Sequence, residues 1–169
     1  MTGMEVQAEI TVQVPADQAW ALVGTQFGQV AAWASPITAS SLDGPPQSGA
    51  VRVCHIRGFG PVPPGVIRER LLSYDPAARS LSYQADGLPW YITCAVSRWQ
   101  VRPADGASAV SIRATMTLQP LLRPFSPAVR WRMRRDSAAV LDELAHRLRT
   151  GLPHPRKIAA TSNGSPTVL

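Results

Sequence analysis

The sequence predicts an α+β fold in which a curved antiparallel β-sheet wraps around one long C-terminal helix and encloses a cavity. Three observations predict it. The chain starts with a period-two strand, continues from residue 50 to 119 as strand-like runs separated by Gly, Pro and Asp, and then carries a helical period over about 127–149.

The first run, "VQAEITVQV", sets Val6, Ala8, Ile10, Val12 and Val14 on one parity and Gln7, Glu9, Thr11 and Gln13 on the other, the pattern of a half-buried strand. Pro15 stops it. "ADQAWALVGTQFGQVAAW" then reads as one or two short helices, with Asp17 in a first turn and Gly24 or Gly28 breaking the run. A Ser-, Pro- and Gly-rich loop is expected over 35–49. Five strands follow at 50–57, 65–74, 79–86, 90–102 and 108–119, joined as antiparallel hairpins. On the long helix Met133, Ser137, Val140, Leu141, Leu144 and Leu148 share a face, and Gly151 and Pro153 end it. The aperiodic, polar remainder predicts one domain over 1–150 and a flexible tail over 151–169.

A chain of 169 residues, 45% of them hydrophobic, suffices for one domain with a sizeable core. It contains no run of about 18 apolar residues, and its first residues alternate polar with apolar, so neither a membrane span nor a signal peptide is read and a cytoplasmic location is expected. Cys54 and Cys94 lie far apart without metal-ligand spacing and are expected as buried thiols. The net charge of +6 comes almost entirely from arginine and suits an anionic partner.

Side-chain parity raises a chemical question. With Arg52 assigned to solvent, Val51, Val53 and His55 face inward; by the same reasoning so do Ile67, Glu69 and Leu71, then Leu81, Tyr83 and Ala85, then Tyr91, Thr93, Ser97 and Trp99. Turns centred near Val62, Pro76 and Gly87 set His55 opposite Glu69, Glu69 opposite Tyr83, and Tyr91 or Thr93 at the same level. The result is a polar row crossing four strands beneath the helix, where Met133 and Ser137 face it. A carboxylate in a dry core must be paired, hydrated or protonated. Beside a histidine it could also work as a general acid or base. The row therefore reads as a structural pair, a cavity lining or a catalytic group. Arg113 takes the solvent-facing parity of the last strand, and His146 and His154 lie away from the row.

"RWRMRR" (130–135) opens the long helix, where positive charge opposes the helix dipole. Arg130, Arg132, Arg134 and Arg135 are either solvated and paired to nearby carboxylates or a docking site for an acidic carrier protein, an anionic ligand or a lipid headgroup. No nucleic-acid motif accompanies them. No GxSxG, Walker, GxGxxG or HExxH motif occurs, so neither a nucleophile nor a metal is expected.

The order of elements, with "VPADQAWALV", "FGQVAAW", "VIRERLLSYDPAARSLSYQADG" and "LPWYITCAV", resembles the START-like superfamily over about residues 5–150. That group includes polyketide cyclase/dehydrase-like proteins, the birch-pollen allergen family and the abscisic-acid receptors. The resemblance implies a helix-grip fold whose inner sheet face lines a ligand pocket. It also implies a lid at "RGFGPVPPG", with Arg57 and Phe59 near the mouth, and Trp33 on the lining where short helices close one end. The function it implies is binding of a hydrophobic, aromatic or polyketide-like molecule. In an enzyme of the cyclase/dehydrase group, His55 and Glu69 would move protons for cyclisation or dehydration, Tyr83 and Tyr91 would donate hydrogen bonds, and no cofactor would be needed. The alternatives are a non-catalytic carrier or sensor with the same cavity, and a docking module built on the basic helix start.

Overall fold

The structure, a computed structural model, describes residues 3–163. Strand β1 (Met4–Val12) leads into helix α1 (Ala16–Trp20), a π turn over Ala21–Thr25 and a 3₁₀ segment at Phe27–Ala32. Six further strands follow: β2 (Ile37–Leu42), β3 (Val51–Ile56), β4 (Gly65–Asp75), β5 (Ser80–Asp86), β6 (Ile92–Ala104) and β7 (Ala107–Leu118). A 3₁₀ turn at Pro120–Phe125 enters the long helix α2 (Ser126–Thr150), and a last helix, α3, spans Pro155–Ser162. All pairings are antiparallel, and the sheet runs β1-β7-β6-β5-β4-β3-β2. This is the helix-grip arrangement: Met133, Ser137, Leu141, Leu144, Ala145 and Leu148 bury the inner stripe of α2 against the curved sheet.

The glycines between the short helices are there for space. A Cβ on Gly24 would lie 2.3 Å from the Trp20 ring, and one on Gly28 would lie 2.7 Å from Leu42 Cβ. At Gly151 the backbone turns left-handed (φ 72°), and its N–H closes α2 on the Arg147 carbonyl.

Two elements differ from the sequence reading. The loop expected over 35–49 contains the edge strand β2, whose "ITASSL" lacks alternation; it is held by pairing with β3 and by Ser40, which donates to the Gly28 carbonyl and accepts from the Ala31 N–H. The tail expected over 151–169 forms α3 at Pro155–Ser162, while 164–169 lie outside the described residues. Helix α3 starts with Pro155 at its first turn and the His154 ring accepting from the Arg156 N–H, and Lys157 then reaches the Ala34 and Ile37 carbonyls at 3.3 and 2.6 Å. Its stability comes from that docking rather than from an apolar period. Among the described residues, no helix is long and apolar enough to cross a membrane.

Candidate functional site

A cavity of about 140 Å³ lies between the inner sheet face, α2 and the 3₁₀ segment. Its wall is mostly apolar, with Gln26, Ser97, Thr115 and Ser137 among the lining, and Arg52 and Glu69, at one corner, are its only charged residues. Both are buried, at 4% and 6% exposure, and β3 and β4 set them directly opposite one another. Arg52 Nε and Nη2 lie 2.6 and 2.5 Å from Glu69 Oε2, and Nη1 donates to the Phe27 carbonyl at 2.6 Å. Glu69 Oε1 takes part in no hydrogen bond among the described residues. The guanidinium stacks 3.7 Å from the Phe27 ring centroid and 5.3 Å from that of Tyr83. Cys54, two residues along β3, points its thiol at Glu69 Oε2 from 3.4 Å.

The electrostatics of the corner follow from this packing. Burial disfavours the Arg52 charge, but Glu69 outweighs it with help from Tyr83 and Cys54, and the guanidinium is held above its ordinary range. Burial, then Glu69, pushes the Tyr83 phenol up to about 12 against the opposing effect of Arg52. The same causes push the Cys54 thiol up to about 12. Tyr83 is therefore a neutral hydroxyl at ordinary pH, its oxygen 3.5 Å from Trp99 Nε1. Cys54 is an unreactive thiol there, because the thiolate is the nucleophilic form. A third polar atom, the indole Nε1 of the wall residue Trp33, is buried without an acceptor among the described residues. No group of three His, Cys, Asp or Glu among them could hold a metal ion.

Of the residues singled out from the sequence, Glu69, Tyr83, Trp33, Phe59, Ile67, Trp99, Met133 and Ser137 lie on the cavity wall. Five do not. His55 is exposed on the outer face and paired with Val66, and Val53 shares that face. The expected His55–Glu69 dyad is thus replaced by Arg52–Glu69. The cause is the assignment of Arg52 to solvent: β3 carries Arg52, Cys54 and Ile56 inward, because Glu69, the Phe27 carbonyl and two aromatic rings compensate the buried charge. The register also shifts, and Tyr83 stands opposite Leu71 rather than Glu69. On β6 a bulge between Ile92 and Cys94 sends Thr93 outward, where its hydroxyl donates to the Thr117 carbonyl. Tyr91 donates to the Pro61 carbonyl at 2.7 Å and ties down the β3–β4 loop instead of lining the cavity.

Arg57 opens onto an adjacent cleft of about 280 Å³ that also holds Arg132, Asp136, Glu143 and Arg156, and Pro36, Phe59 and Val140 wall both spaces. The residues missed from the sequence are Arg52, Cys54 and Phe27. A usable signal existed for the first two, since the expectation of a buried Cys54 thiol already sends Arg52 and Ile56, which share its parity, to the inner face.

A family model described as polyketide cyclase / dehydrase and lipid transport matches residues 4–149. No curated protein matches the chain. Among solved structures, a protein of Thermobifida fusca is 28% identical, with 89% of this chain and 97% of that one covered at a TM-score of 0.66. The Zhui aromatase/cyclase of Streptomyces sp. R1128 is 18% identical, covered over 90% and 100% at 0.69. An uncharacterised protein of Bacillus thuringiensis is 21% identical, covered over 86% and 99% at 0.70.

Proposed function

Because the chain belongs to the polyketide cyclase/dehydrase and lipid transport family, we propose that its cavity takes up a largely apolar, aromatic or polyketide-like small molecule and promotes its cyclisation or dehydration by proton transfer. The observation that carries this reading is the one charged corner, with Arg52 and Glu69 beside Tyr83 in a mostly apolar wall. Such a corner orients a ligand by its oxygen and leaves the remaining contact to packing.

In the proposed chemistry a substrate carbonyl accepts hydrogen bonds from an uncommitted Arg52 N–H and the Tyr83 hydroxyl. Glu69 Oε1 takes the proton from the adjacent carbon, and the charge developing on the carbonyl oxygen is stabilised by those donors. In a dehydration the electron pair then forms the C=C bond as the β C–O bond breaks. The proton returns to the departing hydroxyl, which leaves as water. Every proton taken is given back, so the route needs no cofactor. The Trp33 N–H is a further donor for a second oxygen on the ligand.

A second reading, a carrier that returns its ligand unaltered, is favoured by one observation: Arg52 and Glu69 already satisfy much of each other's demand. Identifying the molecules retained from host extract by native mass spectrometry, and following their turnover, separates the two. In the catalytic reading Glu69→Gln and Tyr83→Phe lower turnover about 100-fold or more while ligand affinity stays within a few-fold. Turnover retained in both variants sinks these assignments, and a wild-type protein that binds but never converts its ligand is a carrier.

A further inference from the structure

The entrance to α2 leaves an unusual surface uncovered. Leu121, Phe125 and Trp131 are 79%, 61% and 62% exposed, and Trp90, whose carbonyl accepts from Gln119, is 71% exposed beside them. Three of these exposed apolar side chains fall between residues 121 and 131, and Trp90 is tied to the same segment through Gln119, a concentration that marks a contact surface. Arginines surround them: Arg123, Arg130, Arg134 and Arg135 are all exposed and form no ion pair among the described residues, and the Arg135 guanidinium sits 5.7 Å over the Trp131 ring. At 3.6 residues per turn, Trp131, Arg134 and Arg135 share the outward face of α2, opposite Val129 and Met133, with Arg130 beside them. Asp136, the single acidic residue of 119–136, is turned away to Arg132 and the Gly60 N–H. Asp86, at the foot of the β5–β6 loop, stands opposite Arg68. No acidic residue occupies the first turn of α2, so its dipole adds to the positive field.

We propose that this surface docks the protein on an anionic lipid membrane, with Trp90, Leu121, Phe125 and Trp131 entering the interface and the arginines meeting lipid headgroups. Charge alone would also suit an acidic protein, one of the partners weighed from the sequence for Arg130, Arg132, Arg134 and Arg135. Two features favour lipid. Arg132 is committed to Asp136, and the four remaining arginines frame exposed aromatic and aliphatic side chains, the amphipathic combination that seats at a lipid–water boundary. The same end carries Leu88, Val62 and Met133 on the cavity wall, so docking would bring the cavity against the membrane, a source and sink for apolar ligands.

The test is co-sedimentation of the full chain with phosphatidylcholine vesicles, with and without phosphatidylserine. Binding is expected only to the phosphatidylserine vesicles, falling with salt. Replacing Arg130, Arg134 and Arg135 by Ser weakens it on the order of 100-fold, with the circular dichroism spectrum unchanged because all three are exposed. Brominated acyl chains should quench wild-type tryptophan emission, and less so in Trp131→Phe. No sedimentation with anionic vesicles overturns the proposal, as does binding that neither the triple serine variant nor Trp131→Ala weakens. Capture of polyglutamate without vesicle binding overturns it in favour of an acidic protein. Glu69→Gln leaves vesicle binding unchanged, so failure of the cavity chemistry and failure of docking are read separately.

Discussion

Arg52 shows how a charge becomes tolerable inside an apolar cavity. Removing a guanidinium from water costs several kcal/mol even after relaxation, and three things offset it: the Glu69 carboxylate, the Phe27 carbonyl, and the faces of Phe27 and Tyr83. Burial, and then the Glu69 carboxylate, raise its neutral neighbours Cys54 and Tyr83, because their ionised forms would put a further negative charge in a site shut off from water. This has a consequence for alkaline stability. In the unfolded chain the two groups lose their protons near 9.0 and 10.0, whereas the folded protein holds them to about 12. Over that window the unfolded state binds fewer protons, so stability falls as pH rises; below 9.0 the contribution is fully present. Urea midpoints measured across the window should drop in the wild type, less steeply in Cys54→Ala from the lower end and in Tyr83→Phe from the upper end. A wild-type midpoint that stays flat counts against the shifts.

Among the elements, α2 and α3 act together on the wall they enclose. Glu143, 1% exposed on α2, accepts from the Ser35 N–H at 2.7 Å and the Ser35 hydroxyl at 2.6 Å, and Arg156 of α3 lies 3.4 Å from the same carboxylate. Lys157 of α3 holds the Ala34 and Ile37 carbonyls. Both helices therefore anchor the segment 33–37, which supplies Trp33, Ala34, Pro36 and Ile37 to the cavity. Buried in this way, the Lys157 ammonium is destabilised by desolvation and by Arg57, only partly relieved by Glu143, and its pKa is lowered. Lys157→Ala removes the side-chain donor to the Ile37 carbonyl and one of two donors to that of Ala34, which also accepts from the Ile37 N–H, and should cost about 1–3 kcal/mol, read as a lower thermal midpoint. An unchanged midpoint would show that α3 does not brace the wall.

For the molecule as a whole, the cavity is a product of sheet curvature. Register shifts at Ile37/Ala39, Leu71/Ser73 and Ile92/Cys94 are points at which the seven-stranded sheet bends and twists. The space left would be core in a flatter protein. Small wall residues on the inner face, such as Ala95 and Ala114, keep it open. Ala95→Leu should fill part of it, with the thermal midpoint equal to or above wild type and affinity for an extract-derived ligand reduced at least about tenfold, since a pocket of fixed walls cannot repack freely around added volume. Unreduced affinity would place the ligand elsewhere.

Six of the seven strands, the long helix and the wrapped α+β architecture were legible in the chain because each depends on local periodicity: alternation in β1, helical spacing from Met133 to Leu148, and a glycine stop at Gly151. Glu69 and Tyr83 were found because each is a polar break in an inward parity that its own strand defines. The partner of Glu69 was not. Arg52 and His55 lie on opposite faces of β3, and local pattern alone favoured sending the arginine to water. The choice reversed because the compensating groups come from Phe27, Glu69 and Tyr83, separated from Arg52 by 25, 17 and 31 positions. For the same reason β2 and α3 escaped notice, since an edge strand is held by its neighbour and this short helix by Lys157 and Arg156 reaching groups far away in the chain. Secondary structure and burial parity are short-range properties of a chain, whereas the neutralisation of a buried charge depends on what folding brings across the sheet to meet it.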